Sequence, residues 1–491
     1  MVVSSLENSR AKDDSRAKET ISNTALFLGE HRDGVTMLNM QNVFLVTSKG
    51  YTKKQAGMMF FAFGMSQFLF QAPAGYLMDY SQNKVLLLGA SVVVTSLLTL
   101  ATAAFAAENG GNLGLMIFVK VLQGIATALI PPGLNSITQG IVGTEGMTAQ
   151  VSQNEMMHHL GTAIIVLTAS LLAFVIYPNV GFLFIVSPIA CIGVIYYLKL
   201  IDAEDIDHRE ARGLPPKKHV PKVVSFDVAH TPQSVEDSII RKPSFNFGFG
   251  TSFSHDGTES CSSRANTPLQ ILKDPQLMVF LLICFSFQLA NGTVLPLVMQ
   301  TLAVGNGRTG ILMSGLCIAI AQVFMECSAE VCGKYSAKYG RKPLYVFGIL
   351  SLPLRCLILT ILLTVIENAY YPFSDYIDEV VILFTQILDG IGAGVFGTMY
   401  VLVSSDISGG TGRFSLTLGL TTAAITLGGT VSGYFGQALA MDIGYKETFG
   451  ILGYISCIPS FLYICFMPET LPGMDKSISE ISENGLDYQQ I

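Results

Sequence analysis

Apolar runs about as long as a bilayer is thick recur along the chain, each broken by a short polar loop. Runs near 24–46, 56–79, 85–107, 114–142, 155–177 and 180–201 form one set, and runs near 276–302, 309–333, 343–365, 378–404, 415–440 and 447–467 form a second. A hydrocarbon core of about 30 Å needs roughly 20 apolar residues per helix, so each run predicts one transmembrane helix. The runs are continuous and rich in Leu, Ile, Val, Phe, Ala and Gly rather than short and alternating, which argues against a membrane barrel. The pattern predicts an all-α polytopic membrane protein with twelve transmembrane helices in two six-helix bundles.

Polar segments divide the chain. Residues 1–23 read as a disordered N-terminal tail, 24–201 as the first bundle, 202–274 as a disordered tether, 275–467 as the second bundle and 468–491 as a C-terminal tail. The tether carries "IRKPSFNFGFGTSFSHDGTESCSSRANTP", too polar to bury a core of its own. Thr-Pro at Thr231 and Thr267, and basic residues beside Ser244, are its candidate kinase targets. Lys and Arg bias sets orientation. Arg10, Lys12, Arg16 and Lys18, then Lys84, then Lys217, Lys218 and Lys222, then Lys338, Arg341 and Lys342 all fall on one side, which places both termini in the cytosol. Lys49, Lys53 and Lys54 run against this bias. The first twenty residues lack the apolar centre of a signal peptide, and the plasma membrane is preferred over an organelle.

Composition agrees with the pattern. Half of the 491 residues are hydrophobic and only 13% are charged, with a mean hydropathy of +0.49. The net charge of −7 resides mostly in tails and loops and suggests no nucleic-acid partner. Nine cysteines are scattered, mostly in apolar runs and without paired spacing, so they read as packing residues rather than a metal site or disulfide framework. No cofactor is implied.

An internal repeat relates the halves. "LQGIATA" (Leu122–Ala128) matches "LDGIGAG" (Leu388–Gly394), and "GYLMDYSQNK" (Gly75–Lys84) matches "GKYSAKYGRK" (Gly333–Lys342). Paired bundles of this kind are the build of a secondary transporter, with sites near the midplane between halves. These residues resemble the major facilitator superfamily. Its loop pattern is Gly, three residues, an acid, a base, then Gly-Arg and a second base. Gly75, Asp79 and Lys84 match it in the first copy; Gly333, Lys338, Gly340, Arg341 and Lys342 match in the second, where Ala337 replaces the acid. The resemblance makes these the gating loops. "KVLQG" at Lys120 to Gly124 resembles the fourth-helix pattern with Lys for Arg, and "MPET" at Met467 to Thr470 also fits. The set "HRDG", "QNEMMHHLG", "IDHREARG", "GRKPL", "DGIGAGVFG" and "GTGRF" resembles a subgroup widespread in bacteria.

Ionisable residues inside the spans are the site candidates, because a charge at the bilayer centre costs roughly 2.5–3.5 kcal/mol even on lenient scales. In the first span these are Glu30, His31, Arg32 and Asp33; Glu30 and Asp33 share a helical face, Arg32 offers a neutraliser, and Asp33 is the candidate proton carrier. An interfacial position for this group is the alternative. Lys120, Gln123, Gly124 and Thr127 lie along one face of the fourth span, and the resemblance implies that the base there faces the cavity and helps to couple protons. A snorkelling structural Lys is the alternative. Glu155, His158, His159 and Thr162 share a face of the fifth span, read as a pH-sensitive cluster rather than a metal site, with a solvated interfacial cluster as the alternative. Gln386 and Asp389 repeat the Lys120 and Gln123 positions. Gln288, Asn291, Glu326 and Glu330 are further cavity candidates, and Arg355 has a partner among the acids that spacing does not identify.

The reading is a secondary active transporter that moves a small organic solute by alternating access, driven by protons. An uncoupled facilitator and a non-transporting receptor or scaffold are the alternatives, and no catalytic spacing supports an enzyme. Its partners are solute, protons and the lipid bilayer, and it reads as a monomer. The resemblance weighs against a drug antiporter, whose Gly-Pro-rich fifth-helix signature is missing from "HHLGTAIIVLTASLLAF", and against a sugar porter, since Trp is absent. Pro131 and Pro132 break the fourth helix and predict a hinge.

Overall fold

The computed structural model describes residues 2–32, 41, 44–177, 180–215, 265–302, 307–368 and 375–472. The first half is built from α1 (Val2–Arg32), α2 (Lys53–Tyr80), α3 (Lys84–Phe105), α4 (Leu113–Thr127), α5 (Ile130–Ile176) and α6 (Val186–Leu198). After a short α7 (Pro268–Ile271), the second half runs through α8 (Pro275–Asn291), α9 (Val294–Leu302), α10 (Gly307–Tyr339), α11 (Arg341–Asn368), α12 (Asp375–Phe384), α13 (Gln386–Ser408), α14 (Phe414–Ile443) and α15 (Tyr445–Phe466).

Among the described residues, nine runs are long and apolar enough to cross a membrane. One of them, Leu113–Ile176, contains two crossings. Its backbone turns at Gly143 (φ 68°, ψ 177°), a left-handed conformation that glycine adopts without strain. Asn154 Nδ2 then donates to Thr138 Oγ1 at 2.9 Å, which closes the hairpin. Helices α1 and α2 are more polar, yet α1 packs on α5 and α6, and α2 on α4 and α14, completing the twelve spans. Pro131 and Pro132 occupy the first turn of α5, where a missing N–H costs least, so the break falls just before them. Many large apolar side chains, such as Leu86, Ile192 and Phe461, point outwards, as a lipid-facing surface requires.

Three boundaries differ from the sequence reading. Helix α1 starts at Val2, and Ala17, Thr20, Ile21 and Ser22 are already buried, so the first bundle begins before residue 24 and residues 1–23 are not a disordered tail. Of the first span, read as 24–46, α1 is described as far as Arg32 and a π-helical turn at Phe44–Ser48 carries the end two residues further. Residues 33–40, Asp33 included, lie outside the described residues. Both ends of the tether are folded onto the bundles. Ile206, Ala211 and Leu214 are buried at one end, and Asn266 N donates to Thr411 O at 2.9 Å at the other. Thr267 begins α7, whereas Thr231 and Ser244 lie outside the described residues.

The two halves meet along two related seams, α5 against α10 and α2 against α14. The contact is close because glycines line it. A side chain at Gly75 would run into the backbone of Ser415 and Leu416, its Cβ 2.9 Å from the Ser415 carbonyl carbon and 3.1 Å from Leu416 Cα.

Candidate functional site

Glu30 and His31 lie at mid-length of the bundle and are almost fully buried. His31 Nε2 is 3.3 Å from Ser187 Oγ on α6, and Ser187 Oγ donates to Ser96 Oγ near the middle of α3 at 3.4 Å. Neither Glu30 oxygen has a hydrogen-bond partner among the described residues. A buried carboxyl without donors is a place for a proton or a cation to arrive.

Lys120 on α4 is completely buried. Its ammonium donates to Gln123 Oε1 at 2.8 Å and to Gln41 Oε1, and lies 5.8 Å from the Phe60 ring centroid. Gln123 Nε2 in turn donates to Thr99 Oγ1 on α3 at 2.9 Å. The Lys120 side chain does not snorkel.

The second half answers with a different arrangement at the equivalent helices. Arg355 on α11, also fully buried, donates from Nη1 to Asp389 Oδ1 at 2.5 Å and from Nη2 to Gln386 Oε1 at 2.9 Å on α13. Asp389 is therefore the acid that Arg355 pairs with. The ion pair closes within one half.

At the α5–α10 seam, His159 Nδ1 lies 2.7 Å from Gln322 Oε1, a hydrogen bond that joins the halves at mid-depth. Glu155 Oε2 is 4.0 Å from His159 Nε2, and the His158 and His159 rings stack edge-on at 5.1 Å. All three residues are buried. Gln288 and Asn291 are half-buried on α8, with Gln288 beside Gly428 and Gly429 of α14. Glu326 is half-buried on α10, and Glu330 is exposed and pairs with Lys334 at 2.5 Å.

The loop candidates gather at the end of the bundle where the tether attaches. Asp79 is buried, and its two oxygens accept from the backbone N–H groups of Ser415 and Leu416 at 3.0 Å each. One half thus caps a helix of the other, α14, with charge and dipole in favourable alignment. Lys84 is turned instead onto the Met78 carbonyl. In the second copy, where Ala337 stands in place of the acid, Gly333 approaches Ser152 and Lys338 lies over the Tyr339 ring. Gly340, at φ 91°, turns the chain between α10 and α11. Arg341 makes the crossing contact there: Nη2 donates to Thr148 Oγ1 of α5 at 2.8 Å, while Nε reaches Asp406 Oδ2 at 3.0 Å. Glu469 of the "MPET" segment caps α11 by accepting from the Arg341 and Lys342 N–H groups at 2.8 and 3.0 Å.

The start of the tether completes this clasp. Asp207 N donates to Gly140 O of the first half at 2.9 Å, and Gly410 N of the second half donates to Gly213 O at 2.8 Å. Arg212 donates to the Asp79 carbonyl and lies over the Tyr80 ring; Arg413 donates from Nη2 to Tyr80 Oη at 2.7 Å. Burial raises the Glu210 carboxyl above its ordinary range, with Asp207 and Glu145 adding to the effect. Several buried groups at this end have no partner among the described residues: both amide atoms of Gln139, Ser405 Oγ and Arg413 Nη1. Each such group costs roughly 1–3 kcal/mol, so hydration favours parting the halves here.

Sequence reasoning named Lys120, Arg355, Asp389 and His159 but not Gln41, Ser187, Gln322, Thr148 or Asp406. Lone amides and hydroxyls carry no spacing signal, and Asp406 lies just past the predicted end of its span. "IDHREARG", "GTGRF" and "MPET" did stand out, and all three turn out to be parts of the clasp.

The family pattern of the Major Facilitator Superfamily matches residues 32–371. Uncharacterized MFS-type transporter Rv2456c of Mycobacterium tuberculosis is 27% identical over 447 residues, covering 90% of this chain and 91% of its own. The multi-drug resistance efflux pump PmrA of Streptococcus pneumoniae is 22% identical over 175 residues, 36% of this chain and 40% of its own. Among solved structures, the proton:xylose symporter XylE bound to 6-bromo-6-deoxy-D-glucose has a TM-score of 0.62 at 14% identity, covering 94% of this chain and 97% of that one. A partially occluded inward open conformation of the xylose transporter XylE from E. coli has a TM-score of 0.61 at 13% identity, covering 94% and 99%. At such identities the structural likeness speaks for the fold.

Proposed function

The chain belongs to the major facilitator superfamily, and from that membership we propose that it is a proton-coupled secondary transporter, moving a small organic solute by alternating access. The observation that carries the coupling is the mid-depth bond between His159 and Gln322. A titratable ring joins the two halves where they must separate, so its proton and the state of the seam are linked. Glu30, buried and without a donor among the described residues, is a second group able to carry a proton through the cycle. The clasp at the tether end is the inner gate, and the Lys and Arg bias of the loops puts it in the cytosol. A proton symporter among the proteins that share the fold supports the same reading.

Proteoliposomes with a pH-sensitive dye inside, challenged with a library of organic anions and cations, test it. The wild type is expected to move protons with at least one solute, whereas Glu30→Gln and Asp33→Asn insert normally and lose that proton movement. A solute that equilibrates without any proton flux in the wild type would mean an uncoupled facilitator.

A further inference from the structure

We propose, resting on the transport reading, that the solute is an organic monocarboxylate, bound between the Lys120 ammonium and the Gln41 amide. The halves differ at equivalent places. In the second half Arg355 has its counter-charge inside the protein, Asp389. In the first half the repeat puts Gln123 where Asp389 stands, and among the described residues Lys120 has only neutral acceptors, Gln41 and Gln123. No carboxylate pairs with Lys120 among the described residues. A buried charge without a counter-charge is costly, and the cost disappears when a ligand brings the opposite charge.

A second observation points the same way. Gln41 is completely buried, and its Nε2 group has no acceptor among the described residues. Lys120 and Gln41 are in contact through Gln41 Oε1, so an ammonium held by neutral amide oxygens stands beside an amide donor that has no acceptor among the described residues. A carboxylate has two oxygens and one charge: one oxygen serves the ammonium, the other the amide. Phosphate, at about −1.5 to −2, brings more charge than one lysine balances. The apolar part of the solute has Phe60 beside the ammonium to pack on. Two of the acids that would favour a cation are paired elsewhere, Asp389 on Arg355 and Glu330 on Lys334.

Binding and transport are read separately. The purified full chain in nanodiscs is melted with a series of two- to eight-carbon monocarboxylates, the matching amides and alkylammonium ions, and inorganic phosphate. Carboxylates are expected to raise the melting temperature, and the amides and ammonium ions to leave it unchanged. The apparent affinity should fall about tenfold to a hundredfold in Lys120→Met, the loss of one charged hydrogen bond. Gln123→Asp gives Lys120 an internal counter-ion, copying the second half; it should stay monodisperse and lose carboxylate binding even if Lys120→Met does not fold. Stabilisation by phosphate or alkylammonium but not carboxylate, or carboxylate binding that survives in Gln123→Asp, overturns the proposal. Proteoliposome flux separates it from the parent reading: carboxylate binding without flux refutes transport alone, and flux with cations only refutes the carboxylate alone.

Discussion

Arg355→Met is expected to destabilise the second half by about 3–5 kcal/mol, because it strands the Asp389 carboxylate in a fully buried site. Gln386 would be left as its neighbour on α13, an amide in place of a charge. The double variant Arg355→Met with Asp389→Leu removes both charges and should recover most of the loss, since an apolar pair of similar bulk needs no counter-charge. Thermal unfolding of the purified variants in detergent reads both effects. A single variant as stable as wild type would mean that the ion pair does not hold α11 to α13.

The second large effect is expected at Gly75. A leucine there places its Cβ against the Ser415 carbonyl and 3.1 Å from Leu416 Cα, backbone that cannot swing aside as a side chain would. It also pushes Asp79 away from the two N–H groups that it caps. The first-half core around Leu28, Leu88 and Val194 lies away from the obstruction, which falls in the seam. Gly75→Leu should therefore express and insert but leave the tether end unable to close, with solute flux falling to background. Flux within about twofold of wild type would show that this contact is not part of the gate, since a change that small corresponds to only a few tenths of a kcal/mol.

The twelve spans and the two-fold plan could be read from the chain because membrane burial imposes length and apolarity on every crossing. Depth was harder to read. Glu30 and His31 sit in a helix whose preceding residues are polar, and only the packing of α1 on α5 and α6 shows that it runs to mid-bundle. Segment boundaries failed where polar sequence finds polar partners. Residues 202–215 look too charged to fold alone, yet Asp207, Arg212 and Gly213 bond to Gly140, Asp79 and Gly410. Spacing along one helix identified Lys120 with Gln123, which do bond at 2.8 Å. The pairing of Arg355 with Asp389 and of His159 with Gln322 arises between helices, where single-chain periodicity carries no information.

The central claim is that the halves rock about their seams, opening one end as the other closes. Pulsed electron spin resonance distances test it most directly, with labels at Glu145 and Lys338 for the tether end and at Lys54 and Met441 for the opposite end, all four exposed. Cys261, Cys327, Cys457 and Cys465 are first replaced by Ser. The account predicts two distance populations for each pair, the short one at either end accompanying the long one at the other, with proportions that shift with pH and solute. A single unchanging distance at both ends, in nanodiscs across pH and with a transported solute present, would contradict it.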